Sequence, residues 1–391
     1  MKLLKRTWAD ISLDNLSYNY TQLRKNVAPG CKFLGVVKAD AYGHGAVPVS
    51  RHLKDLGAEY LAVSNFEEAL QLRQADIRLP ILILGYTPAI YAEDMADMGI
   101  RQEIHSLEYA RQLSRQMEST GKELLTHLKL DTGMSRLGFF AYDDEKTLEE
   151  IKTVAALPGL RFEGVFTHFP VADSLSEDDC AFTRLQYQRF IAMIECLKAS
   201  GIEFEIRHCC NSAGTILYPE FALDMIRPGI ATYGISPSPE LAGKLDLRPM
   251  MSLRTTISQI RDFKADVTVS YGRAYTTPSP RKIAVLCIGY ADGLSRALSG
   301  NVSFLLRGKR VPQVGRICMD MCMIDITDVP EAKVGDVVTV FGEDKDLTAP
   351  VDALAAQLGT IPYEILCDIN KRTPRIYLDG KQRIEVLQYI V

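Results

Sequence analysis

From about residue 13 to residue 240, short apolar runs alternate with longer stretches whose apolar positions recur at helical spacing. The runs are Phe33–Lys38, Tyr60–Val63, Ile81–Leu84, Arg101–Ile104, Leu124–Leu130, Phe162–Phe166, Phe204–Arg207 and Leu223–Ile226, eight in all. Segments such as Phe66–Gln74, Leu107–Ser119 and Asp178–Ala199 fall between them and read as amphipathic helices. Eight βα units in roughly 230 residues is the count and length of a (β/α)8 barrel. After Pro237-Ser-Pro239 the texture changes. Arg254–Ser270, Lys282–Ile288, Val302–Val311, Met321–Ile326 and Asp336–Phe341 are β-rich, with Gly and Pro turns between them. The expected fold class is therefore α/β: a TIM-like barrel over residues 1–245, then a mainly β domain over 246–391. The segment Thr7–Ile11 precedes the first barrel helix and can pair with either domain.

Composition narrows the function without choosing it. The chain has 391 residues, 47% apolar and 24% charged, which is ordinary globular usage. Lys and Arg number 45 against 49 Asp and Glu, a net charge of −4, which argues against a nucleic-acid-tracking surface. No uncharged run approaches the ~18 residues of a membrane span, and a soluble, cytoplasmic protein is expected. Nine cysteines are scattered without a Cys-x-x-Cys, and six histidines include no His-Glu-x-x-His, so no metal site is expected.

In a βα barrel the chemistry sits at the C-terminal ends of the strands. The first run leads into Val37-Lys38-Ala39-Asp40-Ala41-Tyr42-Gly43-His44-Gly45, a lysine at the last strand position with a glycine-rich turn behind it. A lysine in a barrel mouth loses charge through desolvation and becomes a candidate Schiff-base amine, although a snorkelling strand-end lysine has the same address. The loops after the seventh and eighth runs, Cys210-Asn211-Ser212-Ala213-Gly214 and Arg227-Pro228-Gly229-Ile230, suit a barrel phosphate site: Asn211 or Ser212 can cap a helix, and Gly229 lets the backbone come close. The fifth run ends His127-Leu128-Lys129-Leu130-Asp131, so its polar set faces the interior; Lys129 and Arg136 then share that interior and call for a relieving carboxylate. By residue type alone Tyr271 reads as a strand aromatic and His168 as a satisfied core histidine.

The stretch VVKADAYGHG resembles the pyridoxal-phosphate attachment signature of the alanine racemases, and RPGIATYG resembles the same family's arginine motif. The resemblance runs from about residue 5 to 380. It implies that Lys38 holds pyridoxal 5′-phosphate as an internal aldimine, that Tyr42 and Tyr363 touch its phosphate, and that Asn211, Ser212, Gly229 and Ile230 complete the cradle. Arg227 would face the pyridine nitrogen, with His168 bridging Arg227 and Tyr271. Since arginine keeps its proton, that nitrogen stays bare and the cofactor is a weaker electron sink, which favours racemisation over transamination. Val269-Ser270-Tyr271-Gly272-Arg273 resembles the segment bearing the second base, opposite Lys38. Arg136 and the backbone of Met319 would hold the substrate carboxylate, a carbamylated Lys129 would orient Arg136, and Tyr290 would line the entrance. Tyr271, Tyr290 and Met319 belong, by the same resemblance, in the barrel of a partner subunit, which implies a homodimer with composite sites.

The implied activity is interconversion of L- and D-alanine through an external aldimine and two opposed bases, supplying D-alanine for peptidoglycan. Alternatives are a serine-directed or broad-specificity racemase, which Tyr363 disfavours, and a non-catalytic pyridoxal-phosphate carrier, which such a second domain disfavours. A decarboxylase is set aside because Arg227 weakens the electron sink. Pro170 and the pair Cys209-Cys210 depart from the family's usual small residues.

Overall fold

The computed structural model describes residues 6–142, 144–380 and 382–390. Two compact units emerge: Leu16–Ala41 with Ala46–Arg248, and the segment up to Asn15 with Tyr42–Gly45 and Pro249 onwards.

The first unit carries all eight expected barrel strands: Lys32–Val36, Tyr60–Val63, Ile81–Ile83, Ile100–Ile104, Leu124–Asp131, Leu160–Phe166, Ile206–His208 and Met225–Ile226. Consecutive strands pair in parallel as far as the seventh, and the eighth pairs with the first. Two backbone bonds close the ring between the seventh and eighth: Asp224 N–H to the Arg207 carbonyl at 3.0 Å, and Arg227 N–H to that of Cys210 at 2.9 Å. Helices start where the chain supplies caps. The side chains of Asn65, Ser106 and Ser176 accept from the amides of Glu68, Tyr109 and Asp179, satisfying donors that have no intrahelical partner. Helix Leu107–Met117 then buries Tyr109, Ala110, Leu113, Ser114 and Met117, a stripe at three- and four-residue spacing.

The second unit is a ten-stranded sheet. Six of its strands close on themselves, because Val337–Asp344 pairs both with Ser303–Leu306 and with the long strand Met251–Phe263. The leading segment resolves in favour of this unit: Thr7–Ser12 runs antiparallel to Met251–Phe263 and parallel to Arg375–Asp379. The expected single run Val302–Val311 is a hairpin, Ser303–Leu306 and Lys309–Val314, turning at Arg307 and Gly308 with φ of 53° and 79°. Two positive φ values in a two-residue loop match the right-handed twist of the flanking strands. This unit is mainly β, as expected, and also contains helices Val351–Leu358 and Pro362–Cys367.

Gly43 is constrained twice: its φ is +78°, and a Cβ there would lie 2.1 Å from the Leu366 carbonyl oxygen. Gly201 has a similar φ of +80° but opens on empty space. Gly201→Ala should therefore cost about 1 kcal/mol for its backbone conformation alone. Gly43→Ala should cost at least about 2 kcal/mol more, as a backbone clash that cannot relax; urea unfolding of the two variants checks the difference.

Candidate active site

Lys38 does not sit at the last position of the first strand, as the sequence suggests, but two residues beyond it. The strand ends at Val36, and the chain turns into a left-handed helical turn in which Ala39, Asp40, Ala41 and Tyr42 all have φ between 50° and 54°. Each such L-residue costs roughly 1–2 kcal/mol, so the turn needs external bonds. The Ala39 amide donates to Glu68 Oε1 at 2.7 Å, the Ala46 amide to Asp40 Oδ1 at 2.8 Å, and the Ala41 amide to the Val37 carbonyl at 2.9 Å.

Beyond the seventh strand, Asn211 proves to be the cap: its Oδ1 accepts from the Gly214 amide at 2.9 Å, while its Nδ2 donates to the Phe169 carbonyl at 3.0 Å. Ser212 does something else. Its buried hydroxyl oxygen accepts from the amides of Gly229 at 2.8 Å and Ala231 at 3.2 Å, tying the seventh loop to the eighth. Tyr233, after the buried Ile230, donates to the Val36 carbonyl at 2.7 Å and secures the eighth loop to the first strand.

Arg227 is buried, and its guanidinium donates to the carbonyls of Thr167 at 2.7 Å and Cys209 at 3.2 Å and meets His208 Nδ1 at 3.0 Å. Burial brings it down to about 10, which still leaves it a cation at neutral pH. Lys129 is buried with its Nζ unpartnered among the described residues, 4.9 Å over the Phe166 ring. Burial first, then the charges of Arg227 and Arg136, bring its amine down to about 7. Asp131 does not relieve it by a hydrogen bond, since its Oδ1 accepts from the Gly133 and Ser135 amides at 2.9 and 3.1 Å. Arg136 does not share the interior: it is exposed, in the loop that follows the strand. His168 is held well below the usual histidine value by burial and by Arg227, Lys129, Arg136 and Lys38 together. Lys38, Arg136 and Arg227, with Lys129 in its charged form, thus act on one histidine at the barrel mouth, an arrangement that calls for anions.

In the second unit, Tyr42 is buried and its ring lies 5.9 Å from that of Tyr363; burial raises its phenol, followed by Tyr363 and Cys367. Tyr271 is not a strand residue. It begins a 3-10 turn, Tyr271–Arg273, between the short strands Thr268–Val269 and Tyr275–Thr276, and is 68% exposed. Ser270 before it has φ +73° and ψ 177°, a conformation otherwise left to glycine, held by bonds to the Arg316 carbonyl and from the Arg316 amide at 2.8 and 3.0 Å. Tyr290 and Met319 are 42% and 53% exposed, and their segments are joined: the amides of Tyr290 and Ala291 donate to the carbonyls of Cys318 and Met319, both at 3.0 Å. The buried Asp292 carboxylate anchors this pair of segments, accepting from the Gly289 amide at 2.9 Å, from Arg372 Nε at 2.8 Å and from Arg6.

The alanine racemase N-terminal domain family matches residues 11–237, and the alanine racemase C-terminal domain family matches residues 250–377. The chain belongs to the alanine racemase family. It is 45% identical to the alanine racemase of Desulfovibrio desulfuricans over 95% of this chain and 98% of that protein. It is 41% identical to that of Clostridium tetani over the full length of both. Among solved structures, alanine racemase of Clostridium difficile 630 superposes with a TM-score of 0.94 at 38% identity, covering all of both chains. The Bacillus anthracis enzyme with bound L-Ala-P gives 0.93 at 34%, covering 100% and 99%. These relatives establish the two-domain fold and a pyridoxal-phosphate-dependent racemase family. Glu68, Glu163 and His208, which hold the candidate residues in place, carry no motif of their own, and sequence reasoning passes over them; Asp292 lies in the entrance segment around Tyr290 but its anchoring role carries no sequence signal.

The depressed Lys129 amine has a consequence for stability. Between the folded value near 7 and the unfolded value near 10.4, the unfolded chain binds more protons, so this group's contribution rises with pH across that window and is lost as pH falls towards 7. In buffer free of carbon dioxide, Lys129→Met should be more stable than the parent at pH 7, with the gap narrowing towards pH 10. Urea midpoints at four pH values between 7 and 10 check this.

Proposed function

We propose that this chain interconverts L-alanine and D-alanine, using pyridoxal 5′-phosphate. The observation that carries the reading is the convergence of Lys38, Arg227, Lys129 and Arg136 on His168 within a chain that matches alanine racemases along its whole length. A mouth with that surplus of cations fits a cofactor phosphate and an amino-acid carboxylate, and the unpartnered Lys129 amine fits an acidic group added to it.

When bound, the cofactor would supply an electron sink for Cα, making its proton removable. Lys38 takes or returns that proton on one face, and Tyr271 does so on the other. Arg227 would face the ring nitrogen and, keeping its own proton, would leave that nitrogen bare, so that protons return to Cα. Tyr42, Tyr363, Asn211, Ser212, Gly229 and Ile230 hold the phosphate, and His168 links Arg227 to Tyr271. Arg136 and the Met319 backbone bind the substrate carboxylate, and Lys129 positions Arg136 as a carbamate, the species a neutral amine near 7 forms with carbon dioxide. Tyr290 lines the entrance.

In this reading the barrel domain, expected over residues 1–245 and observed without the segment up to Asn15 and without Tyr42–Gly45, binds the cofactor, and the mainly β domain, expected over 246–391, completes the site of a partner subunit in a homodimer. Exposure of Tyr271, Tyr290 and Met319 supports that, since each is a large side chain without cover in one chain. Among the described residues no helix is long and apolar enough to cross a membrane; we place the enzyme in the cytoplasm, supplying D-alanine for peptidoglycan. Tyr363 favours alanine over serine.

Circular dichroism of L-alanine over time, with protein and pyridoxal phosphate, should decay to zero, and Lys38→Ala should give a flat trace. A flat trace for the parent protein, with cofactor absorbance present, would sink the assignment. Tyr271→Phe should lower kcat by about 10²-fold or more, the usual worth of a general base. Lys129→Ala at full activity would remove the carbamate from the scheme.

A further inference from the structure

Arg227 contacts the first of a line of side chains that runs down the barrel interior. Its Nη1 meets His208 Nδ1 at 3.0 Å, and His208 Nε2 meets His127 Nδ1 at 2.8 Å. His127 Nε2 meets Glu163 Oε2 at 3.0 Å, and Glu163 is clasped by Arg101, Nε to Oε2 at 3.0 Å and Nη2 to Oε1 at 2.9 Å. All five side chains are buried or nearly so. Gly164 makes room for the line: a Cβ there would lie 2.5 Å from the His127 ring.

The ends of this line dictate its direction. A guanidinium has only donors and an ionised carboxylate only acceptors. Arg227 must therefore donate to His208 Nδ1, so the His208 proton resides on Nε2 and points to His127 Nδ1. That nitrogen must accept, so the His127 proton resides on Nε2 and points to Glu163. A second proton on either ring would set two N–H groups against each other. Burial and the neighbouring cations disfavour such a proton on both histidines. Glu163 can serve as the acceptor end because it stays ionised: burial pushes its carboxyl up, but the bonds from His127 and Arg101 outweigh burial and hold it at about 2.

We propose that Glu163 is a positioning residue which, through His127 and His208, fixes the ring tautomers and thereby holds Arg227 in one orientation. The functional part of this rests on Arg227 acting on the cofactor ring as described above. Glu163→Gln tests it, because both carboxylate oxygens already receive Arg101 donors and an amide NH2 in either place faces a donor. The line then loses its acceptor end and its single direction.

Neutron diffraction from crystals of the holoenzyme in heavy water should show one deuteron on Nε2 of both His127 and His208 and none on either Nδ1. A deuteron on His208 Nδ1 overturns the proposal, whether or not any variant folds. In Glu163→Gln the deuterons should shift, and kcat should fall on the order of 10-fold, as for other residues that orient a group they support. Parental tautomers in that variant overturn the role of Glu163. Gly164→Ala, whose Cβ would lie 2.5 Å from the His127 ring and 2.8 Å from the Ile206 carbonyl oxygen, should lower kcat at least to a similar extent; parental kcat there overturns the relay. The reading of Arg227 fails separately: full racemisation by Arg227→Gln would sink it while leaving the deuteron positions in the parent as they are.

Discussion

Eight strands closed into a ring leave an interior that side chains must fill, and this barrel fills much of it with ionisable groups. Arg101, Glu163, His127, His208, Arg227 and Lys129 all point inward from neighbouring strands. Burying any one of them alone would be costly, by several kcal/mol for an unpaired ion. The bidentate Arg101–Glu163 pair removes the two charges at one end of the line, and two neutral histidines carry polarity from there to Arg227 without adding net charge. The rest of the barrel accommodates this line. The register shift between Thr126 and His127 brings His127 opposite Gly164, the one residue type that leaves space for the ring.

At the mouth the balance is different. Lys38, Arg136, Lys129 and Arg227 accumulate around His168, and the carboxylate closest in sequence, Asp131, is committed to the amides of its own loop. A protein that spends a carboxylate on loop geometry while leaving a buried lysine unpartnered gains from anions that arrive later. Phosphate, substrate carboxylate and a carbamate each supply one, and each is a component of the proposed reaction. Burial, joined by the charges of Arg227 and Arg136, brings Lys129 down to about 7, so that a large share of it is the neutral amine, which is a nucleophile.

The barrel strands are legible in the sequence because a parallel sheet covered on both faces demands near-continuous apolar runs, and all eight runs begin within two residues of the observed strand. The alternation of His127, Lys129 and Asp131 likewise reveals an inward polar set. Other features leave no such trace. Glu163 sits inside the run Phe162–Phe166 and is masked by its apolar neighbours. The two-residue Arg307-Gly308 turn is too short to divide the β-rich stretch Val302–Val311 by composition, and helices Val351–Leu358 and Pro362–Cys367 are too short to register against the surrounding strands. Tyr271 has the composition of a strand residue but lies on a turn, because Ser270 takes a positive φ that residue type alone does not announce.

The Lys38 turn shows why such features concentrate at the site. Ala39, Asp40 and Ala41 are ordinary right-handed helix formers or neutral residues by propensity, yet they adopt the opposite hand. Intrinsic propensity does not favour this, and the local bonds Ala46–Asp40 and Ala41–Val37 are joined by partners distant in sequence. Glu68 supplies one, bonding the Ala39 and Ser64 amides through its two oxygens at 2.7 Å each, and the Asn65 cap fixes the backbone of Glu68 in turn. The second barrel loop therefore determines the shape of the first, and a strained backbone persists only because its surroundings over-determine it. A lysine carried on such a turn has its reach set by the folded barrel rather than by its own segment, which ties the position of its amine to completion of the whole ring.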